Sequence, residues 1–351
     1  MKTFIRSLAT ATPAKKVTQQ HVYDVLESNY VFSEEVRQLY AKILLDGPIK
    51  TRCFGLDNDE EILDQEQDHL IERFVKHGRL IGAQAARSAL CEADLEPKDV
   101  DCVVANTCTG YLCPGLSSYL AEDLGLDRTT RVFDIAGMGC GAAIPNLQCA
   151  SRMVGGDGHV VLSVAVEICS ATIFMGPDPD LVVSNCIFGD GASAAVIGSD
   201  CSNGAGRSIR LLDFETLETP EERESLRYRS VNGKLRNVLA KRVPVVAGRA
   251  VREVAERILD RNGLVQDDIA FWAVHPGGSL VLERIQRTLD LPETTLRFSR
   301  EVLREYGNMS SASVMFVLER ILKHGRPQPK DTCLLLSFGA GFTAFAALVE
   351  F

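Results

Sequence analysis

The stretch Gln84-Ala-Ala-Arg-Ser-Ala-Leu, which leads to Asp99-Val-Asp-Cys-Val-Val-Ala-Asn106, has a counterpart further along this chain. The counterpart begins at Glu253-Val-Ala-Glu-Arg-Ile-Leu and leads to Asp268-Ile-Ala-Phe-Trp-Ala-Val-His275. Both copies follow the pattern of an amphipathic helix, an acidic turn and a buried strand. His275 follows Asn106 by 169 positions, so the copies lie about half a chain apart. The sequence therefore predicts two α/β halves of related fold.

Two further matches extend the duplication. Met138-Gly-Cys140-Gly-Ala-Ala matches Tyr306-Gly-Asn308-Met-Ser-Ser, at an offset of 168 positions. His159-Val-Val-Leu-Ser163 matches Cys333-Leu-Leu-Leu-Ser337, 174 positions later. Two copies that face each other across a pseudo-two-fold axis would bring equivalent strand ends together. We therefore expect Cys140, His275 and Asn308 to meet at the junction of the halves.

Composition limits the class of protein. The chain has 351 residues, of which 46% are hydrophobic, and this is long enough for two fused halves with one buried core. A formal net charge of −9, without a dense basic stripe, argues against a nucleic-acid partner or an anionic membrane surface. Eleven scattered cysteines without metal-ligand spacing predict reduced thiols and no metal site. The N-terminus lacks a long apolar segment, so we expect no signal peptide and a cytoplasmic location.

The predicted elements fall into two halves, 1–205 and 206–351, without a Pro/Ser-rich linker. A strand is expected from Thr3 to Thr10, with helices from a Thr18 cap to about Asn29 and from Ser33 to about Leu45. The polar stretch 199–229 is interpreted as a connection with sheet-edge structure. The apolar segment 332–351 is interrupted by Gly339-Ala-Gly341, which favours two buried strands and argues against membrane insertion.

Cys140 has the sequence context of a nucleophile. It lies between two glycines, directly before a helical pattern over 142–154. The glycines permit a sharp strand-to-helix turn and a close approach of substrate. A thiol at a helix N-terminus is expected to have a lowered pKa, because the helix dipole favours the thiolate.

His275 and Asn308 complete the proposed set. His275 closes an apolar strand and precedes Pro276-Gly-Gly278, so it projects from the strand's C-terminal end. Asn308 could cap a helix over 310–323, but its match to Cys140 favours a side-chain donor that points into the same pocket. Such a set suits one chemistry: the cysteine takes an acyl group from a thioester, and the two N–H donors stabilise the enolate of a decarboxylated malonyl unit. Each such donor is typically worth roughly 3–4 kcal/mol. No metal or redox cofactor is required.

These motifs resemble the type III polyketide synthases, the chalcone-synthase-like enzymes of the thiolase superfamily. The resemblance covers essentially the whole chain and includes Ile187-Phe-Gly-Asp-Gly-Ala-Ser193, Val274-His-Pro-Gly-Gly278 and Ser337-Phe-Gly-Ala-Gly341. It implies a five-layered αβαβα thiolase fold, a homodimer, and malonyl-CoA and an acyl-CoA starter as substrates. It also implies an acyltransferase that performs iterative decarboxylative condensation and then cyclises the product.

The resemblance also assigns roles around the triad. Phe188 matches a gatekeeper phenylalanine, and Ser310 and Ile173 match positions that line the cavity. Cys108 stands at a cavity threonine and Asn237 at a second gatekeeper phenylalanine, so a phenylpropanoid starter is disfavoured. The remaining assignments are Cys113, at a position that crosses the dimer interface, and Lys42, the best-placed candidate for coenzyme A phosphate. The stretch 235–244 is similar to that of microbial enzymes that make alkylresorcinols and alkylpyrones from fatty acyl starters.

Two alternatives remain open at this point. One is a 3-ketoacyl-acyl-carrier-protein synthase III-like condensing enzyme, which shares the Cys-His-Asn set but usually carries His-Gln-Ala-Asn where this chain has His275-Pro-Gly-Gly278. The other is a non-enzymatic subunit of thiolase fold that binds acyl chains.

Overall fold

The computed structural model describes residues 2–154, 159–199 and 208–351. Within these ranges the α-helices are α1 (Gln19–Asn29), α2 (Glu34–Leu44), α3 (Gln67–Glu92), α4 (Leu116–Leu124), α5 (Ala143–Val154), α6 (Pro179–Ile187), α7 (Val243–Asn262), α8 (Ser279–Thr288), α9 (Arg297–Tyr306) and α10 (Ser313–Arg320). The strands are β1 (Thr3–Ala11), β2 (Lys15–Thr18), β3 (Thr51–Phe54), β4 (Cys102–Asn106), β5 (Arg131–Ile135), β6 (Val160–Glu167), β7 (Gly191–Gly198), β8 (Ile209–Glu218), β9 (Leu226–Val231), β10 (Lys234–Leu239), β11 (Ile269–Val274), β12 (Thr332–Gly339) and β13 (Thr343–Glu350).

The large sheet repeats one strand pattern on either side of its middle. From β1 outward the order is β1-β7-β6-β4-β5, and from β8 outward it is β8-β13-β12-β11. In both series the two innermost pairs are antiparallel and the next pair is parallel. Hence β11 corresponds to β4 and β12 to β6, which confirms the predicted duplication. Antiparallel pairing of β1 with β8 joins the two series.

Helices cover both faces of each series. Leu120 of α4 and Ile81 of α3 pack in one apolar cluster on the N-terminal series. The helices α7 and α8 form an equivalent cluster on the C-terminal series. Between them, α5 and α10 lie in a cluster that also contains residues of β6 and β12, such as Val161 and Leu335. The layers therefore run helix, sheet, helix, sheet, helix, which is the predicted five-layered thiolase fold.

This layering explains why the central strands lack a polar face. Every residue of β6 and β7 is buried, because helices pack on both sides of these strands. The same holds for β12 and β13 apart from one terminal residue of each. The apolar segment 332–351 is thus two core strands, as the sequence predicted.

Two expectations from the sequence differ from the structure, and a third concerns residues that the structure does not describe. The stretch 199–229 was expected to add sheet-edge structure, but β8 lies in the middle of the sheet between β1 and β13. The helix expected over 310–323 is divided into a 3-10 turn (Ser310–Ala312), α10 and a π-helical turn (Ile321–Gly325). The predicted boundary between 205 and 206 lies outside the described residues.

Candidate active site

Cys140 lies in a 3-10 turn, Gly139–Gly141, between β5 and α5. Gly139 has a φ of 57°, a left-handed conformation that favours glycine. A Cβ on Gly139 would lie 2.9 Å from the backbone nitrogen of Ala340, and one on Gly141 would lie 2.6 Å from the ring of Phe345. The two glycines therefore allow residues of the second half of the chain to pack close to Cys140. From the sequence, these glycines had instead indicated a close approach of substrate.

The thiol of Cys140 is buried and neutral. The Ser310 hydroxyl donates to Cys140 Sγ across 3.3 Å, and Ser310 Oγ lies 3.0 Å from Cys108 Sγ. Burial raises the pKa of Cys140 to about 12, which is opposite to the lowering expected from a helix dipole. Part of the reason is position, since α5 begins only at Ala143. Deprotonation of Cys140 therefore requires a base.

His275 is the first residue after β11, and its backbone N–H donates to Leu336 O at 2.8 Å. The side chain is fully buried, with the ring of Phe338 edge-on at 5.2 Å between centroids. Neither ring nitrogen has a hydrogen-bond partner within the described ranges. Burial lowers the pKa of His275 to about 3, so the imidazole is neutral and carries one N–H and one lone pair. Both are available to a substrate or a proton donor.

Asn308 connects the histidine segment with the cysteine segment. Its Nδ2 donates to Gly277 O at 3.2 Å, and its Oδ1 accepts from the Ser310 N–H at 2.8 Å. Asn308 thus accepts the first N–H of the Ser310–Ala312 turn and still keeps an amide N–H beyond the bond to Gly277. Its backbone forms a β-bridge with Phe188. Ser310 adopts a φ of 49°, a conformation that costs a non-glycine residue roughly 1–3 kcal/mol and is typical of functional sites.

A cavity lined in part by Phe188, whose backbone pairs with that of Asn308, contains several of the predicted residues, and we call it the reaction cavity. Asn237, in β10, is buried there and pairs across the strands with Tyr228 of β9. Ile173 faces the same space, close to Thr172, whose hydroxyl lies 3.3 Å from that of Tyr228. The lining of the cavity includes Phe54, Thr172, Ile173, Asn185, Phe188 and Asn237.

Sequence reasoning missed Glu167, a fully buried carboxyl group beside the cysteines. It accepts hydrogen bonds from the Thr109 hydroxyl at 2.9 Å, from the Cys108 N–H at 3.1 Å and from the Ser311 hydroxyl. Burial raises the pKa of Glu167, and these bonds oppose the shift. The sequence signal that could have indicated Glu167 is an acidic residue at the end of β6, a strand that is otherwise almost entirely apolar.

Two predicted site residues lie away from the reaction cavity. Cys113 is exposed in the loop before α4, and Lys42 is exposed in the last turn of α2. Their roles, at a subunit interface and on coenzyme A phosphate, stay predictions.

Neither a metal centre nor a membrane span was found in the part of the chain that the structure describes. There, no three His, Cys, Asp or Glu side chains are placed to hold a metal ion. No helix of those ranges combines the length and apolar character needed to cross a bilayer.

Comparison with known proteins places the chain in a family. Residues 7–266 match the profile described as FAE1/Type III polyketide synthase-like protein, and residues 219–350 match the C-terminal domain of chalcone and stilbene synthases. A 3,5-dihydroxyphenylacetyl-CoA synthase of Streptomyces toyocaensis is 31% identical over 99% of this chain and 89% of its own length. The alpha-pyrone synthesis polyketide synthase-like protein Pks18 of Mycobacterium tuberculosis is 27% identical over 99% of this chain and 90% of its own.

A solved structure agrees with these matches. The 1,3,6,8-tetrahydroxynaphthalene synthase of Streptomyces coelicolor, a bacterial type III polyketide synthase, superposes with a TM-score of 0.91 at 25% identity, over 99% of each chain. The chain therefore belongs to the type III polyketide synthases and is an acyltransferase. This favours the main interpretation of the sequence over a ketoacyl synthase III.

Proposed function

We propose that this type III polyketide synthase loads an acyl group onto Cys140 and extends it with malonyl-CoA, with His275 and Asn308 as the donors that hold the malonyl thioester oxygen. One observation carries the proposal. The buried thiol of Cys140 accepts a hydrogen bond from Ser310, whose N–H donates to Asn308. The Asn308 amide in turn donates to Gly277 O, two residues beyond His275, whose ring nitrogens lack protein partners in the described ranges. The N-terminal half, 1–205, supplies the nucleophile, and the C-terminal half, 206–351, supplies both donors.

In the loading step His275 accepts the proton of Cys140. The thiolate then attacks the carbonyl carbon of an acyl-CoA, forming a new C–S bond while the C–S bond to coenzyme A breaks. The departing thiolate of coenzyme A takes the proton back from His275. The imidazole is then neutral again and carries a single N–H for the next step.

In the condensation step the thioester oxygen of malonyl-CoA accepts hydrogen bonds from the N–H groups of His275 and Asn308. The C–C bond to the carboxylate breaks, CO₂ leaves, and the electron pair forms an enolate that these donors stabilise. The enolate carbon attacks the acyl carbon on Cys140, and the thiolate of Cys140 leaves. Repetition lengthens the chain by one ketide unit each time. The chemistry requires coenzyme A thioesters and no other cofactor, and we propose Lys42 as a contact for coenzyme A phosphate.

We propose a fatty acyl starter and an alkylpyrone or alkylresorcinol-type product. The gatekeeper position holds Asn237 in place of a bulky aromatic ring, and Ile173 adds an aliphatic wall to the reaction cavity. A relative named for alpha-pyrone synthesis is consistent with such a product.

A second candidate is a short starter that is extended into a polyhydroxylated aromatic product. The buried amide of Asn237, with the hydroxyl groups of Thr172 and Tyr228 close by, makes one side of the reaction cavity polar. Relatives named for 3,5-dihydroxyphenylacetyl-CoA and 1,3,6,8-tetrahydroxynaphthalene favour this candidate.

One experiment separates the two candidates. The protein is incubated with malonyl-CoA alone and with malonyl-CoA plus acetyl-, hexanoyl-, lauroyl- or coumaroyl-CoA, and products are identified by mass. The highest kcat/KM with lauroyl- or hexanoyl-CoA supports the fatty acyl starter. The highest kcat/KM with acetyl- or coumaroyl-CoA, or full activity with malonyl-CoA alone, contradicts it and leaves the triad chemistry intact. Malonyl-carrier-protein, offered in place of malonyl-CoA, tests for a carrier-dependent enzyme.

A further inference from the structure

Arg52, in β3, places a buried cation at the reaction cavity. Its side chain is almost fully buried, and the residue belongs to the lining of that cavity. Burial lowers the pKa of Arg52 to about 10, so the guanidinium keeps its charge at neutral pH. No carboxylate of the described residues forms an ion pair with it. A buried charge of this kind is unfavourable unless a partner compensates it.

Protein groups bind two of the three guanidinium nitrogens. Nε donates to Gln19 Oε1 at 2.7 Å. Nη1 donates to the backbone oxygens of Asn185 at 2.8 Å and of Phe188 at 2.7 Å. The carbon of the guanidinium lies over the ring of Phe54, 4.8 Å from its centroid. Nη2 is buried as well, but it has no hydrogen-bond partner within the part of the chain that the structure describes.

These contacts leave Nη2 as the donor that a ligand in the reaction cavity can use. The stem of Arg52 packs against Gly307, since a Cβ on that glycine would lie 3.0 Å from both Cγ and Cδ. Asn185 and Phe188, whose backbone oxygens hold Nη1, line the cavity together with Arg52. Nη2 therefore offers its N–H groups and the positive charge to an acceptor that the described residues do not supply.

The proposed reaction brings three kinds of group into the cavity, and their chemistry separates them as partners of Arg52. An alkyl chain has no acceptor for an N–H group. A cation bound to the malonyl carboxylate would stabilise the ground state and slow the loss of CO₂. A ketide oxygen is an acceptor, recurs on every second carbon, and gains negative charge when a 1,3-dicarbonyl unit forms an enolate. The ketide oxygen therefore suits a charged donor best.

We propose that Arg52 Nη2 binds an oxygen of the ketide chain while that chain grows on Cys140. This inference rests on the proposed extension of an acyl group on Cys140 and holds for either class of starter. The bound oxygen is kept away from the acyl carbon. An unbound enol oxygen can attack that carbon: the C–O bond forms, the C–S bond to Cys140 breaks, and the thiolate takes the enol proton. Arg52 thus favours further extension over early release as a lactone.

The test compares starters that differ only in their ketide oxygens. Acetoacetyl- and 3,5-dioxohexanoyl-CoA are set against butyryl- and hexanoyl-CoA, and the second-order rate constant for release of coenzyme A is measured for each. The ratio of the oxo to the saturated rate constant is then compared between proteins. Differences in the intrinsic reactivity of the thioesters cancel in this comparison.

Two variants separate ligand binding from a structural role. Arg52→Met and Arg52→Lys both lose the hydrogen bonds of Nε and Nη1, but only the lysine keeps a charged donor. The ratio should fall about tenfold in Arg52→Met, because a hydrogen bond to a charged group usually contributes that much or more. Arg52→Lys should keep most of the wild-type ratio. Equal ratios in all three proteins would overturn the proposal, and so would an equal loss in both variants, which would leave Arg52 a structural role alone.

A second measurement uses the wild type and does not depend on a variant that folds. The protein is incubated in borate with 4,5-dioxohexanoyl-CoA, whose acyl group carries two adjacent carbonyls. Two guanidinium nitrogens form C–N bonds to these carbons, and their protons pass to the carbonyl oxygens. After digestion, an adduct on the peptide that contains Arg52 supports the proposal, and its absence from that peptide overturns it.

The outcomes also separate this inference from the proposed function. If the wild type releases coenzyme A from none of these thioesters, loading of Cys140 is itself wrong. If coenzyme A is released while neither the ratios nor the adduct involve Arg52, only the role of Arg52 is wrong.

Discussion

Burial acts in opposite directions on the two residues that exchange a proton in the proposed mechanism. It raises the pKa of Cys140 to about 12 and lowers that of His275 to about 3, so each is uncharged on its own at neutral pH. Transfer of the proton creates a thiolate and an imidazolium together, and the attraction between them offsets part of both burial costs. The nucleophile is therefore generated as a pair and not by loss of a proton to solvent.

A pH profile of alkylation tests this pairing. In His275→Gln the thiol of Cys140 has no imidazole to accept its proton, so its reaction with iodoacetamide at pH 7 should be at least tenfold slower than in the wild type. The rate in the variant should then rise steadily with pH. The modified Cys140 peptide is followed by mass spectrometry, because the chain has eleven cysteines. Alkylation of the variant at the wild-type rate at pH 7 would show that His275 is not the base.

Substitutions of Cys140 separate nucleophile from donors. Cys140→Ala should abolish starter loading and product formation, because no acyl-enzyme can form. Cys140→Gln should lose condensation but retain malonyl-CoA decarboxylation, since His275 and Asn308 still bind the thioester oxygen. Release of CO₂ and formation of acetyl-CoA are measured beside product. Wild-type condensation by the alanine variant would rule out Cys140 as the nucleophile.

Elements whose signals are local could be predicted well from the sequence. The caps at Thr18 and Ser33 are an example, since each side-chain oxygen accepts the N–H three residues on. The strand β8 could not be predicted in its central position. Its exposed and half-buried residues resemble an edge, and its place depends on pairing with β1 and β13, which are more than a hundred residues distant on either side.

Asp190 couples elements that the sequence does not connect. Its buried carboxylate accepts hydrogen bonds from the Gly55 N–H at 2.6 Å, the Ser170 N–H at 2.8 Å and the Ser170 hydroxyl at 2.6 Å. Burial outweighs these bonds and raises the pKa of Asp190 from 3.8 to about 6. Asp190 thus holds the segment after β3 against the start of β7. Its ionised form does so at a cost in free energy, because the charge is buried.

This shift has a definite sign for stability. Between about pH 4 and pH 6 the folded protein holds the Asp190 proton more tightly than the unfolded chain, so the free energy of unfolding falls as pH rises through this window. The full shift of the Asp190 pKa, from 3.8 to about 6, corresponds to a loss of about 3 kcal/mol in the free energy of unfolding. Asp190→Asn lacks this titration. The free energy of unfolding of both proteins is measured with urea at pH 4 and at pH 7. From pH 4 to pH 7 the wild type should lose about 3 kcal/mol relative to Asp190→Asn. A difference that is the same at both pH values would contradict the shift.

At the scale of the molecule, duplication is the basis on which the sequence predicts the triad. Cys140, His275 and Asn308 lie at related places in two copies of one unit, and the sequence therefore predicts that they lie close together. Glu167 lacks such a relation, and so does the apolar cavity between α1 and the segment that follows β3. A space that is bounded by separate elements leaves no periodic pattern in the sequence.

The large sheet has an open edge on its N-terminal side. β5 ends the sheet, and its outer edge has no strand partner within the described ranges. Phe133 on β5 is 44% exposed, and Tyr111, in the loop before α4, is 84% exposed. Asp134 ties the first turn of α4 to β5 by accepting the Ser117 N–H at 3.1 Å. An open strand edge beside exposed apolar groups is unfavourable on a monomer, so we propose that a second copy covers it by two-fold symmetry.

Sedimentation tests the homodimer. The wild type should sediment as a dimer at micromolar concentration. Phe133→Asp should shift it toward monomer, because a carboxylate would be buried unpaired at the interface. Leu280→Asp, at another exposed apolar position on α8, is the matched control and should leave the dimer intact. A wild-type monomer with full activity would contradict the proposal.

A mixed dimer tests whether Cys113 of one subunit reaches the cavity of the other. Cys113→Trp should alter the product profile of the homodimer, because the larger side chain would fill part of each neighbouring cavity. One subunit then carries Cys140→Ala and the other Cys113→Trp, with different tags so that only the mixed dimer is purified. Its single competent cysteine lies in the Cys113→Trp subunit, which faces a native Cys113 across the interface. If Cys113 acts in the partner's cavity, this dimer should give the wild-type products, whereas the altered profile of the Cys113→Trp homodimer would show that Cys113 acts within its own subunit.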